Sequence, residues 1–185
     1  DISEKCLEIR DSYDPNDKKV SPSGITTKHY ISENEVLNYT IRFQNTGNDT
    51  AYKIKIVDTL SNQLDIASLH INGASHNFKY TVSGKKVAVL EFTFNNINLP
   101  DSTTNEANSH GYVSFSVSPI DSIAKGTSIK NFADIYFDFN SAVRTDTATV
   151  IAMDTTISSK KIITVTEISK PVGTTERDLL NISIF

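Results

Sequence analysis

The sequence SYDPNDK at residues 12–18 places three oxygen-bearing side chains within four residues, at Asp14, Asn16 and Asp17. Calcium takes carboxylate, amide and carbonyl oxygens as ligands, and the intervening proline would restrict the backbone between them. Asp138, in the later sequence YFDFN, could supply a further carboxylate. The spacing is not that of an EF-hand, so the pattern is a weak signal for calcium by itself. The alternative interpretation is an Asx turn that ends one strand and begins the domain. We expect no cofactor to be required, with Ca²⁺ as the ion that these four residues would bind.

A second chemistry is a covalent bond between a lysine side chain and an asparagine or aspartate, which some β-sandwich domains use against mechanical load. It needs a buried lysine, an amide or carboxyl group across the sheet, and a neighbouring acid that shuttles protons. Lys18, Asn131 and Glu35 have this chemistry. Lysine side chains are mostly exposed in proteins, so a solvated Lys18 is the alternative.

Enzyme chemistry finds little support in the sequence. The four histidines are scattered, without the short spacing of a metal pair. Ser109 and His110 are adjacent, but a triad also needs an oriented acid and an oxyanion hole, and we expect His110 to bond within its own loop, near Glu106. No nucleophile elbow, phosphate-binding glycine loop or zinc-protease helix motif occurs. We therefore predict that the protein is not an enzyme and has no catalytic residues.

The elements that must position these residues are β-strands, because apolar and polar residues alternate along much of the chain. The alternation is clear in EVLNYTIRFQN, HGYVSFSVSP and NFADIYFDFN. The residues predicted to share one face in each run are Leu37, Tyr39, Ile41 and Phe43; Val113, Phe115 and Val117; and Ala133, Ile135, Phe137 and Phe139. Strands with one apolar face are typical of antiparallel sheets that cover a core.

Turn sequences separate the strand-like runs, and no convincing amphipathic helix is longer than two turns. Such turns include NTGND at 45–49, SGK at 83–85 and the polar loop at 99–111. Strands spaced by 8–15 residues predict an all-β fold, an immunoglobulin-like antiparallel β-sandwich of about seven to nine strands with Greek-key connections.

The composition excludes several partners. The chain has 185 residues and a formal net charge of -4, whereas a general nucleic-acid binder needs a basic surface. No run of 18 apolar residues suggests a membrane span. Tryptophan is absent, although sugar-binding surfaces often use it, which leaves Tyr30, Tyr52 and Tyr80 as the aromatic residues for a binding surface.

Five motifs, in order, make the chain similar to a known family. They are SYDPNDK, LNYTIRFQNTGNDTAY, DTL, the run from LPDS to SHGYVSFSV, and IYFDFN. Together they resemble a conserved immunoglobulin-like domain of Bacteroidota cell-surface and secreted proteins, located just before a type IX secretion C-terminal sorting domain. The match covers about residues 12–150. Within the shared pattern, Asp58 is expected to bond backbone amides at a turn.

The resemblance implies a structural, non-catalytic module, a stalk, spacer or presentation domain of a type IX secretion substrate. It places the protein outside the cell or on the outer cell surface, exported across the outer membrane. The implied partners are neighbouring domains of the same chain and the type IX secretion machinery, through a downstream sorting domain. The alternative function is an adhesin or carbohydrate-binding module with a surface glycan or protein as its partner.

A modification pattern accompanies this resemblance. Triplets of Asp, Ser or Thr, and a small or aliphatic residue or Thr resemble the O-glycosylation site that Bacteroidota use on exported proteins. We expect sugar on some of the following hydroxyls, most of them in predicted turns or at strand ends: Thr50, Thr59, Ser102, Ser122, Thr147 and Thr155.

The predicted organisation has four parts. Residues 1–24 are the end of a preceding domain and the junction into this one, and residues 25–152 are the sandwich. Residues 153–173 form an additional strand or extension, and residues 174–185 are a linker into a C-terminal sorting domain.

Overall fold

The computed structural model describes residues 15–85 and 87–153, together with the backbone of two short strands at 163–165 and 182–184. Asp14, Thr155 and most of the predicted linker at 174–185 lie outside the described residues. Within the described part of the chain, no helix has the length and apolar character that crossing a bilayer requires.

The described chain is built almost entirely of strands. They are β1 (Lys18–Ser21), β2 (Tyr30–Ser32), β3 (Leu37–Gln44), β4 (Ala51–Thr59), β5 (Leu64–Ala74), β6 (Lys79–Ser83), β7 (Val89–Leu99), β8 (His110–Pro119), β9 (Ser128–Asn131), β10 (Ala133–Phe137), β11 (Val143–Arg144), β12 (Ala148–Met153), β13 (Ile163–Val165) and β14 (Ile182–Ile184). A single 3₁₀ turn, Glu106–Asn108, precedes β8.

Two large sheets and one small sheet enclose the core. The four-stranded sheet has the order β1-β3-β8-β5, and the five-stranded sheet has the order β11-β10-β4-β7-β6. The small sheet has the order β2-β12-β9, in which β12 and β2 are parallel. All other pairs are antiparallel, including the separate pair of β13 with β14. The predicted all-β antiparallel sandwich is therefore confirmed, with more and shorter strands than the expected seven to nine.

The alternating faces point inward as predicted along most of their length. In β3 and β8 every apolar member of the pattern is buried: Leu37, Tyr39, Ile41, Phe43, Val113, Phe115 and Val117. Aromatic rings from opposite sheets meet between them. The ring of Phe92 on β7 lies 6.0 Å from that of Phe115, and Phe43 lies 5.4 Å from Phe94. These contacts hold the two large sheets face to face.

The prediction that Phe139 lies on the inner face of its strand is wrong. Its expected partners on the inner face, Ala133 and Ile135, are fully buried, but Phe139 is 105% exposed. The strand ends at Phe137, and Asp138 has a φ of 50°. This left-handed conformation turns the backbone away from the sheet, so the alternation no longer applies beyond it.

The chain passes from one sheet to another at Phe132. On one side of it, Asn131 ends β9 in the small sheet, and on the other Ala133 begins β10 in the five-stranded sheet. One nearly continuous run, residues 128–137, is thus shared by two sheets. At the start of the sandwich, β1 pairs with β3, so paired strands begin at Lys18 within the segment expected to be a junction.

Gly111 sits where the core leaves no room for a side chain. A Cβ at this position would overlap the ring of Phe43, which is fully buried and cannot move aside. We expect Gly111→Ala to destabilise the fold by about 1–3 kcal/mol, the usual effect of overpacking. Chemical denaturation measures this, and Gly126→Ala is a useful comparison because a Cβ there meets nothing within 4 Å although its φ of 83° adds backbone strain. A Gly111→Ala protein as stable as the parent would contradict the packing described here.

Candidate functional site

A lysine and an aspartate face each other inside the sandwich. Lys18 on β1 and Asp58 on β4 both have fully buried side chains, and Lys18 Nζ contacts Asp58 Oδ2. The strands belong to different large sheets, so the pair spans the core. Each ion removed from water costs several kcal/mol before the pair's mutual attraction offsets it. An unpaired charge at this depth would destabilise the fold by about 3–5 kcal/mol.

Asn131 completes this group, which we call the Lys–Asp–Asn cluster. Its side chain is buried on β9, and its amide lies close enough to the Asp58 carboxyl group to lower the pKa of that group. Yet neither Nδ2 nor Oδ1 of Asn131 has a partner in ordinary hydrogen-bond geometry among the described residues, and the same is true of Asp58 Oδ1. Leaving a buried polar group unsatisfied costs about 1–3 kcal/mol, so the amide requires an explanation.

The strand pattern explains why these polar residues are inside. Inward positions recur every second residue in a strand. Asp58 continues the inward series of β4, and Asn131 continues that of β9 and β10. The two inward series are Ile54, Ile56, Asp58 and Leu60; and Ile129, Asn131, Ala133 and Ile135, all of them buried. The register of β10 against β4 then brings Asn131 and Asp58 to the same part of the core, because Ala133 pairs with Asp58.

Two aromatic rings, those of Tyr39 and Phe115, flank the Lys18 ammonium group. Lys18 Nζ lies 4.8 Å from the ring centroid of Tyr39 and 5.2 Å from that of Phe115. The two rings are themselves in contact, with centroids 5.4 Å apart. Burial, with the nearby charge of Asp58, also raises the pKa of Tyr39 well above its ordinary value. The cluster is therefore a buried polar site inside an aromatic core.

Burial shifts the two ionisable groups toward their neutral forms. It lowers the pKa of Lys18, although the neighbouring Asp58 opposes this shift. It raises the pKa of Asp58, against the opposing effects of the Lys18 charge and of hydrogen bonding. Removing water disfavours the charged form of each group. A neutral amine next to a neutral carboxylic acid is consequently more accessible here than on a protein surface.

Two predictions about this region are wrong. The acid beside Lys18 is Asp58 and not Glu35, which lies in the partly exposed turn between β2 and β3. Asp58 was expected to bond backbone amides at a turn, but its side chain points into the core. The missed signal was the alternation itself, which places Asp58 two residues after Ile56 on the inward face.

The residues predicted to bind calcium that the structure describes have other partners. Asp17 forms a bidentate ion pair with Arg42, in which Arg42 Nε lies 2.7 Å from Asp17 Oδ1 and Arg42 Nη2 contacts Asp17 Oδ2. Lys19 Nζ lies 3.7 Å from the same carboxylate. Asn16 Oδ1 accepts a hydrogen bond from the backbone N–H of Gln44 at 3.3 Å. These bonds tie the segment before β1 to β3.

Asp138 also has a structural partner. Its carboxylate accepts hydrogen bonds from the backbone amides of Tyr52, at 3.0 Å, and Lys53, at 2.7 Å. Within the described residues, no three His, Cys, Asp or Glu side chains are grouped as a metal site would need. With Asp14 outside the described residues, calcium binding by Asp14, Asn16, Asp17 and Asp138 stays a prediction.

The predicted glycosylation sites differ in accessibility. Thr59, Ser122 and Thr147 are exposed, and Thr50 and Ser102 are partly exposed. Thr59 ends β4, and Ser122 lies in a turn. An attached sugar needs such access, so the three exposed hydroxyls are the best placed, and their modification stays a prediction.

The adjacent Ser109 and His110 serve their own loop. His110 Nε2 lies 2.9 Å from Glu106 Oε1, as expected, and 3.2 Å from Gln44 Nε2. Ser109 is buried and donates to the carbonyl of Glu106 at 2.7 Å. These bonds close the 3₁₀ turn onto the end of β3.

The fold defines a class of protein, the immunoglobulin-like all-β domains. The sequence profile of a family described as a domain of unknown function, DUF7619, matches residues 14–151. The chain belongs to this family. No curated protein matches the sequence.

Several solved structures have a similar fold at low sequence identity. The C-terminal domain of the Streptococcus agalactiae AgI/II polypeptide BspA has a TM-score of 0.54 and 13% identity, over 76% of this chain and 50% of that chain. A collagen-binding domain from a Staphylococcus aureus adhesin has a TM-score of 0.45 and 12% identity, over 78% of this chain and 100% of that chain. The major pilin subunit BcpA of Bacillus cereus has a TM-score of 0.47 and 19% identity, over 74% and 39%. The chain thus spans half the length of the streptococcal relative.

Proposed function

We propose that this domain is a structural, non-catalytic module of a cell-surface or secreted protein, which spaces or presents the domains on either side of it. We further propose that the protein is a type IX secretion substrate, exported across the outer membrane through a sorting domain downstream. The second part is supported by the sequence motifs shared with Bacteroidota surface proteins. The first part is supported by the way the sandwich is built.

The main support for the spacer function is that a single hydrophobic core connects β1, the first strand of the sandwich, to β12, its last strand. Phe92 and Phe115 pack between the two large sheets, and β1 lies against β12. The Lys–Asp–Asn cluster joins strands of all three sheets at this place. A domain held together in this way keeps a fixed distance between the points where the chain enters and leaves it, which a flexible linker would not.

A domain exchange in the full-length protein tests this proposal. Replacing residues 15–153 by an unrelated β-sandwich of similar size should preserve the function of the neighbouring domains. A Gly/Ser linker of equal residue count should impair it, because its ends have no fixed separation. Equal surface levels of all versions, checked by protease accessibility on intact cells, are the necessary control. Loss of function with both replacements would overturn the spacer proposal in favour of a specific binding role.

The export proposal has a separate test. We expect the full-length protein to be digested by protease added to intact cells, and to be protected when the type IX machinery is deleted. Surface exposure that persists without that machinery would remove the export route and leave the spacer function intact.

A carbohydrate-binding or adhesive role is the second candidate, favoured by one corner of the surface. Tyr52 and Phe139 are both strongly exposed, and the Tyr52 amide bonds to Asp138, the residue before Phe139. A cleft of about 200 Å³ near this corner is lined by amide and hydroxyl side chains, among them Asn16, Gln44, Asn45, Asn140 and Ser141. Exposed aromatic faces beside amide groups suit the apolar and polar faces of a sugar ring.

A glycan array probed with the 185-residue chain separates the two candidates. Saturable binding that Tyr52→Ala or Phe139→Ala weakens at least tenfold would support the binding module. Tyr80→Ala is a matched control, since Tyr80 is equally an exposed aromatic residue but lies on β6, at the edge of the five-stranded sheet. No binding on the array favours the spacer.

A further inference from the structure

We propose that Lys18 and Asn131 become joined by an amide bond between their side chains, formed by the domain itself with Asp58 as the acid–base group. The bond would fix β1 to β9 inside the folded sandwich. This inference does not depend on the proposed export route or on the spacer function, because the reaction needs only the folded domain.

The geometry that carries the proposal is a single carboxyl group shared by two potential reactants. Asp58 Oδ2 contacts Lys18 Nζ, and the Asn131 amide lies against the same carboxyl group. All three side chains are buried. Fixing an amine and an amide next to each other replaces a collision between two molecules by an internal step, which lowers the entropic part of the barrier.

Apart from its closeness to the Asp58 carboxyl group, the amide of Asn131 makes no described polar interaction. A buried asparagine normally satisfies its donor and acceptor groups, yet Nδ2 and Oδ1 of Asn131 have no partner in ordinary geometry within the described residues. A simple ion pair between Lys18 and Asp58 would not require an amide at this position. If the Asn131 amide is the electrophile that Lys18 attacks, both its position and its unsatisfied donor and acceptor groups are explained.

The proposed reaction balances without any co-reactant. Asp58 takes a proton from Lys18, and the neutral Nζ attacks Cγ of Asn131 to form a tetrahedral intermediate. Asp58 passes this proton to Nδ2, then accepts the second proton from Nζ as the Cγ–Nδ2 bond breaks, and this proton leaves with the ammonia as ammonium. The products are a secondary amide, one ammonium ion and Asp58 again as the carboxylate. Burial of Lys18 favours the neutral amine that this step needs.

Asn131 suits the role of electrophile better than Asp58. If Asp58 acylated Lys18 instead, water would leave, and among the described residues no second acid in contact with the amine would remain to carry the proton. With Asn131 as the electrophile, the acid stays free for both proton transfers. The two alternatives give different products, because one releases ammonia and the other water.

Intact mass spectrometry of the folded 185-residue chain tests the proposal. After prolonged incubation and then denaturation, we expect a mass lower than that of the sequence by one ammonia. Protease digestion should yield a branched peptide that joins the segments containing Lys18 and Asn131, with no tryptic cleavage after Lys18. A folded protein with the full sequence mass would overturn the proposal. Loss of water with a branch at Asp58 would overturn it equally.

Substitutions in the Lys–Asp–Asn cluster test the role of each residue in the proposed reaction. Lys18→Met, Asn131→Ala and Asp58→Ala should each retain the full mass expected for their sequences, with folding checked by circular dichroism. Asn131→Asp keeps the shape of the side chain and should lose water rather than ammonia, in a branch that still joins residues 18 and 131. If Asp58→Ala folded and still lost ammonia with the Lys18–Asn131 branch, the assignment of Asp58 as acid–base group would be wrong.

Discussion

Asp58→Ala is expected to destabilise the domain by about 3–5 kcal/mol, the usual cost of removing one partner from a buried ion pair. The change leaves Lys18 without its carboxylate between the rings of Tyr39 and Phe115. The lysine must then stay neutral or draw water into the core, and both alternatives favour the unfolded chain. Equilibrium denaturation in urea at neutral pH measures the effect, with parent protein of full sequence mass, in which the proposed amide bond has not yet formed, as the reference.

A double variant shows whether the loss comes from the unpaired amine. Lys18→Met combined with Asp58→Val replaces the pair by apolar residues and leaves no buried charge. Such replacements are often neutral or stabilising, so the double variant should be more stable than Asp58→Ala alone. If Asp58→Ala were within about 1 kcal/mol of the parent, as ordinary surface substitutions are, the pair would not have the burial described here.

Phe92→Ala is the second substitution with a large expected effect, a loss of about 3–5 kcal/mol. Phe92 is fully buried on β7 and contacts Phe115 on the opposite sheet, Phe78 at 6.1 Å and Tyr80 at 6.3 Å between ring centroids. Removing it leaves a cavity at the place where the two large sheets meet. The fall in denaturation midpoint, with an unchanged dependence on denaturant, reports this loss.

Phe139→Ala is the matched control, because it removes the same side chain from a position that is entirely exposed. Its stability should stay within about 0.5 kcal/mol of the parent, as for most surface substitutions. A loss at Phe139 comparable to that at Phe92 would mean that Phe139 contacts part of the protein outside the described residues.

The sheet faces could be predicted from the sequence because alternation is a local property. Leu37 to Phe43 and Val113 to Val117 follow the expected pattern without exception. The pattern failed at Phe139, where the left-handed Asp138 ends the strand. Nothing in the spacing of apolar residues reports such a turn, although aspartate adopts this conformation more readily than most residues.

The Lys–Asp–Asn cluster was only half predictable. Lys18 and Asn131 could be named from their chemistry, and the inward position of Asp58 was present in the spacing from Ile54 and Ile56. Charged residues are mostly exposed, and that general rule outweighed the local pattern. Which inward residues meet depends on the sheet order, since Lys18 and Asp58 are 40 residues apart and lie on different sheets. Such pairing is a long-range property that a single sequence does not specify.

The shared run at residues 128–137 has a consequence for how the domain opens. Since the same stretch of backbone contributes β9 to one sheet and β10 to another, neither sheet can separate without pulling on the other. Amide protons of Val150 on β12 and Ile56 on β4 should therefore exchange with solvent at the same slow limit, through one global event rather than two regional ones.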